Sequence, residues 1–229
     1  MKIRFRYEKK GMLKFISHLD TMRVFERALR RICAPVEFSK GFNPHMIMNL
    51  SNPLPLGVES IAEFLEVRFK TEVDACELMK KLNSDLPRGI KLLSWENPLG
   101  KSISDRTFWS VYKIFFPISD SNISKGLIEA RLSDFLAREN IVIDKKRKQK
   151  GKKILTKQEI RNMIGAVGLE EFSERGVAFS AALLTTGQGG LNVLVFSKVF
   201  NDILKISADE REAEIIRLDL LDESGKSLL

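Results

Sequence analysis

The sequence predicts an α+β chain built as tandem ferredoxin-like units, each running β-α-β-β-α-β with an antiparallel sheet. Three observations lead there: period-two alternation at the start, two stretches with apolar residues three and four apart, and recurrence of the same element order in the second half. Residues 1–98 form the first expected domain and residues 106–229 the second, with a linker over 97–105.

Lys2, Arg4 and Arg6 alternate with Ile3, Phe5 and Tyr7, as in a strand with one wet face. A turn at Gly11 and a short apolar piece over 13–16 follow. Met22, Phe25, Leu29 and Ile32 then draw one buried stripe along a helix over 20–32, with Ser17 and Asp20 both suited to cap its start and Pro35 to end it. Residues 46–50 and 61–69 read as strands, the second without clean alternation, around the loop Asn52-Pro53-Leu54-Pro55-Leu56-Gly57. Val73, Cys76, Leu78, Met79 and Leu82 mark a helix over 72–82, and 90–95 is a strand after the break Pro87-Arg88-Gly89. The second half offers a strand over 108–117, a helix over 123–138, a hairpin across 140–155, a strand over 177–184, a helix over 191–204 and a strand over 215–221. Residues 157–175 are either an extra helix, from the spacing of Ile160, Met163, Ile164 and Val167, or an irregular connection.

Lys and Arg number 38 against 30 acidic residues, a net charge of +8 that favours an anionic partner. No segment approaches the roughly 20 apolar residues of a membrane span, so the chain is expected to be soluble and cytoplasmic, with no membrane partner. Cys33 and Cys76 stand far apart and outside any CxxC spacing, which argues against a metal or iron–sulfur site within this chain and reads them as small buried hydrophobes.

Chemistry-bearing residues concentrate in the first half. Arg23, Arg27 and Arg30 fall at helical spacing opposite the apolar stripe, a row of planar cations suited to successive phosphates; the alternative is a solvated face with Asp20–Arg23 and Glu26–Arg30 pairs. Phe38-Ser39-Lys40-Gly41-Phe42-Asn43-Pro44-His45 reads as a rigid polar loop, with Ser39, Lys40 and Asn43 as its polar contacts. His18 and His45, the only histidines, are candidates for a general acid and base pair in RNA cleavage if the fold brings them together; otherwise they cap a helix or satisfy loop carbonyls. Glu59 and Glu63 are expected to pair with the arginine face or to form a carboxylate pair. In the second half the basic hairpin 144–153, with Lys145, Lys146, Arg147 and Lys148, suits a phosphate backbone, and Thr185-Thr186-Gly187-Gln188-Gly189-Gly190 is either an anion nest at a helix start or a plain turn.

The runs Phe15-Ile16-Ser17-His18-Leu19-Asp20, Glu26-Arg27-Ala28-Leu29-Arg30-Arg31, Lys40-Gly41-Phe42-Asn43-Pro44-His45 and Pro53-Leu54-Pro55-Leu56-Gly57-Val58 followed by Glu63 resemble the signature of the bacterial radical SAM-linked protein family. That resemblance implies a chain of unknown function, found alone or C-terminal to a B12-binding-type radical SAM protein, and partnership with such an enzyme. The partner would carry the iron–sulfur cluster and S-adenosylmethionine, because this chain lacks the CxxxCxxC cradle and has no cofactor of its own to expect. In architecture the tandem order also resembles CRISPR repeat-processing endoribonucleases, although fold analogy is no argument for function. Three expectations stand: a non-catalytic tRNA- or rRNA-binding accessory to a radical SAM enzyme, a module docking on that enzyme, or a metal-independent endoribonuclease using His18 and His45.

Overall fold

The computed structural model describes residues 1–98, 100–118, 122–149, 152–209 and 211–228. In chain order the elements are β1 (Lys2–Lys9), a 3-10 turn (Gly11–Phe15), α1 (His18–Arg31), β2 (Met48–Leu50), β3 (Glu59–Arg68), α2 (Ala75–Asp85), β4 (Ile90–Glu96) and α3 (Ile103–Arg106). Then follow β5 (Trp109–Pro117), α4 (Lys125–Leu136), β6 (Val142–Gln149), β7 (Lys152–Glu159), β8 (Ile164–Ser173), β9 (Gly176–Thr186), β10 (Gly189–Gly190), α5 (Val193–Leu204) and β11 (Glu214–Leu221). The fold is mixed α+β with mostly antiparallel pairing, and the chain divides into unit 1, Met1–Phe108 with Ile216–Leu229, and unit 2, Trp109–Ile215.

In unit 1 the strands run β4-β1-β3 with β2 beside β3, every pair antiparallel. Ile3, Phe5 and Tyr7 lie opposite Val67, Leu65 and Glu63 on the face that α1 and α2 cover, and Phe25, Ala28, Leu29, Leu78 and Leu82 fill the space above them. The other face of β3 is covered too: Phe64 packs with Ile103, Leu220 and Leu228. Burial on both sides is why β3 does not alternate cleanly in sequence. It also corrects the expected wet face of β1, since Arg4 is 1% exposed and donates to Glu66 (Nε 2.8 Å) and Glu96, while Lys2 pairs with Glu66 at 2.7 Å.

The start of α1 is capped as its sequence suggests, the Ser17 hydroxyl accepting the Asp20 N–H at 3.1 Å. Its end carries a device that no glycine announces. Cys33 adopts a left-handed conformation (φ 53°), the Cys33 N–H reaches the Arg30 carbonyl at 3.0 Å and the Ala34 N–H reaches the Leu29 carbonyl at 3.0 Å, which is a Schellman closure. Cys33 and Cys76 are both exposed, correcting their reading as buried hydrophobes: one sits at this closure, and the other accepts the Trp95 indole N–H at 3.3 Å.

Unit 2 orders its strands β8-β9-β5, with β10 also on β9, and β6 and β7 form a separate two-stranded antiparallel ribbon. Its core is aromatic: Phe200 meets Phe135 and Phe179 edge-on at 4.9 Å and stacks on Phe196 at 5.1 Å. Residues 164–173, read as an extra helix or an irregular connection, are strand β8, because Ile164, Val167 and Leu169 register with Leu183, Ala181 and Phe179 of β9. The last strand, expected to close the second repeat, belongs to unit 1 from Ile216 onward and pairs in parallel with β3 (Ile216 with Glu59, Arg217 with Ser60), so the pairing is not wholly antiparallel.

Replacing Cys33 by glycine removes the Cβ penalty of a left-handed residue, and we expect a gain of about 1 kcal/mol. Urea unfolding of Cys33→Gly beside the parent checks it; a loss of stability would contradict the assigned closure.

Candidate nucleic-acid interface

The stripe that buries Thr21, Phe25, Ala28 and Leu29 turns the opposite side of α1 to water, and Arg23, Arg27 and Arg30 all stand exposed there. Arg23 pairs with Asp20 at 3.0 Å, whereas the guanidiniums of Arg27 and Arg30 have no ion pair or hydrogen bond among the described residues, and the Glu26–Arg30 pair considered from sequence is not formed. Arg31 points elsewhere and clasps the Asp85 carboxylate at 2.7 and 2.6 Å, holding α1 to α2. Two uncompensated guanidiniums remain on the outer face, with a third held only by an exposed pair that contributes little.

Past α1 the chain turns through Pro35 and returns to the sheet, where Val36 bridges Phe69 and the Glu37 N–H donates to the Arg68 carbonyl at 2.8 Å. The loop 38–46 therefore springs from the end of unit 1 at which α1 finishes. Its base is pinned: Phe38 bridges Met46, the Ser39 N–H donates to the His45 carbonyl at 2.8 Å, the His45 N–H donates to Ser39 Oγ at 3.1 Å, and that hydroxyl lies 2.9 Å from His45 Nδ1. Lys40, Gly41, Phe42, Asn43 and Pro44 form the exposed tip, with Gly41 at φ 138°, a conformation that excludes side chains with a Cβ. Lys70, over the Phe38 ring at 5.6 Å, adds a further cation.

Different chemistry occupies the other end of unit 1. Arg217 is 1% exposed and donates to Glu63 Oε1 (2.9 Å) and to the carbonyls of Asn52 (3.1 Å) and Pro53 (3.2 Å); the Ser51 hydroxyl donates to Glu63 Oε2 at 3.0 Å. Lys9, buried beside this pair, donates to the Ile16 carbonyl at 2.8 Å, and burial pulls its ammonium below the usual lysine range, Glu63 opposing and Arg217 adding to the effect. Burial raises the Tyr7 phenol well above its ordinary value, helped by Glu63 and opposed by Arg217. His18, half-buried at the first position of α1, faces the same charges: burial lowers its pKa, Glu63 resists, and Lys9 and Arg217 reinforce the shift. Sequence reasoning missed Lys9, Tyr7 and Arg217, because nothing local distinguishes a strand cation that will be buried from one that will be wet.

The two histidines are not brought together. His18 belongs to the end where Lys9 and Arg217 register with Ser60, and His45 to the end where Met48 registers with Val67. Seven residues of β3 separate those registers, about 23 Å at the rise of a strand. Nor do the glutamates meet the arginine face: Glu59 accepts the Gly11 N–H at 3.0 Å and lies 3.8 Å from Lys14, and Glu63 serves Arg217. The segments before and after His18 and the proline-rich loop expose the apolar side chains Met12 (80% exposed), Phe15, Leu19 and Leu56, and a Cβ at Gly57 would lie 3.7 Å from the Phe15 ring.

In unit 2 the backbone of Lys145, Lys146, Arg147 and Lys148 pairs with residues 153–156. Residues 150 and 151, and the side chains of 145–149 and 152–154, lie outside the described residues. The glycine-rich stretch is a hairpin between β9 and β10, and α5 is capped by Asn192, whose side chain accepts the Leu194 N–H at 2.8 Å. Gly190 is required there by close approach, as a Cβ would lie 2.1 Å from the Leu184 carbonyl oxygen. Among the described residues no group of three or more His, Cys, Asp or Glu could hold a metal, and no helix is long and apolar enough to cross a membrane.

A family model described as an uncharacterized protein conserved in bacteria (DUF2344) matches residues 2–192. No curated protein matches the chain. Among solved structures, a chain of a Cbf5-Nop10-Gar1 complex is similar at 11% identity and TM-score 0.49, over 96% of this chain and 50% of that one. A chain of an H/ACA RNP bound to a substrate RNA containing 2'-deoxyuridine is similar at 10% identity and TM-score 0.46, over 97% of this chain and 49% of that one. The chain thus spans about half the length of these structures.

Two outcomes follow for the buried end. Glu63→Gln strands Arg217 without its counter-charge and should cost about 3 kcal/mol in urea unfolding, whereas an unchanged midpoint would show that the pair holds nothing. His18 binds its proton more weakly folded than unfolded, so its contribution is complete above the ordinary histidine value of about 6.5 and is lost as pH falls below it. The melting temperature should therefore fall less between pH 7 and pH 5 in His18→Gln than in the parent; equal falls would contradict the assignment.

Proposed function

The chain belongs to the DUF2344 family of uncharacterized proteins conserved in bacteria, and we propose that it is a non-catalytic RNA-binding accessory that presents tRNA or rRNA to a separate radical SAM enzyme. The observation that carries the RNA part is the outer face of α1, where Arg27 and Arg30 stand exposed without acidic partners among the described residues and Arg23 is engaged only by Asp20. Unpaired guanidiniums on a rigid helix match successive phosphates, and binding there is driven by counterion release. Lys40 and Asn43 on the adjacent loop, and the basic hairpin 144–153 of unit 2, extend the set of groups assigned to the RNA backbone. The radical SAM partner rests on the resemblance of the Ser17-His18-Leu19-Asp20 and Gly41-Phe42-Asn43-Pro44-His45 runs, and that partner supplies the iron–sulfur cluster and S-adenosylmethionine. With this reading goes a ferredoxin-like plan in both halves, the ribbon of β6 and β7 being an insertion in the second.

A second reading, docking on the radical SAM protein, is favoured by a separate observation. Met12, Phe15, Leu19 and Leu56 expose apolar surface at the end of unit 1 remote from the 38–46 loop, where a protein contact would remove it from water. The two readings are compatible, RNA at one end and the enzyme at the other.

Reversing Arg23, Arg27 and Arg30 to glutamate together should abolish binding of small RNA in electrophoretic shifts while the melting temperature stays within a few degrees. Undiminished RNA affinity in the reversed variant would remove α1 from the interface.

A further inference from the structure

Phe42 is an aromatic side chain that the fold places wholly in water, at 106% of the exposure of a reference residue. It is not loose surface. The loop carrying it is closed below the tip by the Phe38–Met46 bridge and the Ser39–His45 hydrogen bonds, and it turns at Gly41 in a backbone region that other residues avoid. A closed base holds the tip out from the sheet, so the ring cannot fold back on the core. Cations occur on the loop and at its base: Lys40 two residues before the ring and Lys70 over Phe38, with Arg30 in the last turn of α1, which ends at this same end of the sheet, while the Glu37 carboxylate at the base lies 3.9 Å from Arg68.

We propose that Phe42 is a stacking platform for an unpaired base of the bound RNA, with Lys40 and Asn43 placed for the flanking phosphate and sugar. This rests on the RNA reading above and adds to it a preference for unpaired over duplex RNA. A lone exposed ring beside cations fits an unpaired nucleotide because every base has a flat face to lay on it, whereas the bases of a duplex are already stacked and a side chain cannot read the deep groove of an A-form helix. The arginine face supplies affinity that ignores strandedness; Phe42 supplies the discrimination.

The test compares single-stranded oligouridylate with an RNA duplex of matched length by fluorescence anisotropy, using the parent, Phe42→Ala, Phe42→Leu and Phe42→Tyr. Phe42→Ala and Phe42→Leu should each weaken oligouridylate binding about 5- to 150-fold, leave duplex binding within about twofold, and leave the melting temperature unchanged, while Phe42→Tyr keeps the parent affinity. Parent-like oligouridylate binding by Phe42→Ala or Phe42→Leu would overturn the stacking role and leave the arginine face standing, as would an equal loss on both RNAs. If the parent bound neither RNA, the RNA reading itself would fall. A radical SAM protein that co-purifies with the parent and is lost only from Phe42→Ala, with oligouridylate affinity unchanged, would assign the ring to a protein contact instead.

Discussion

The buried ion pair between Glu63 and Arg217 is the contact around which unit 1 closes. It joins residues 154 apart in sequence and fixes the parallel register of β11 on β3; through the carbonyls of Asn52 and Pro53 it also ties down the proline-rich loop. Neither charge would be tolerable alone in a site so depleted of water, and what makes the pair acceptable is the saturation of its remaining valences by the Ser51 hydroxyl and two backbone oxygens. Lys9, Tyr7 and His18 share the same field, so the start of α1 is set over a polar floor, while its middle and end bury Phe25 and Leu29 in the apolar cluster that holds Phe5 of β1.

That arrangement divides the charges of unit 1 by purpose. Arg4, Lys9 and Arg217 are consumed internally by Glu66, Ile16 and Glu63, and Arg31 is spent on Asp85. What remains uncompensated on the outside includes Arg27, Arg30 and Lys40, which have no acidic partner among the described residues. A net charge alone would not separate these classes, and the same +8 could have been scattered over solvated faces.

Local pattern was legible wherever one element decides its own state. The stripe of α1, its Ser17 cap, the Pro35 stop and the strand character of residues 2–7 follow from spacing and side-chain chemistry. The exposed arginine row follows from the stripe, since a helix that buries Phe25 and Leu29 must turn Arg23, Arg27 and Arg30 outward. Illegible were the features set by distant chain. Two-sided burial of β3 depends on Ile103, Leu220 and Leu228, and the fate of Arg4 and Lys9 depends on what covers them. His18 and His45 look adjacent by motif, yet β3 runs between their ends of the sheet. Cys33 shows the complementary failure: the left-handed closure of α1 lacks the glycine that would have signalled it, because the two hydrogen bonds to Leu29 and Arg30 carbonyls offset the strain.

The most direct measurement is capture of total small RNA on the purified chain at two salt concentrations, with sequencing of what is retained. The account predicts enrichment of one tRNA or rRNA class at low salt and a steep loss of retention as salt rises, the slope reporting the number of phosphates neutralised. Retention no greater than on an unrelated protein of equal charge, at either salt, would contradict it and leave the arginine face to an acidic protein surface.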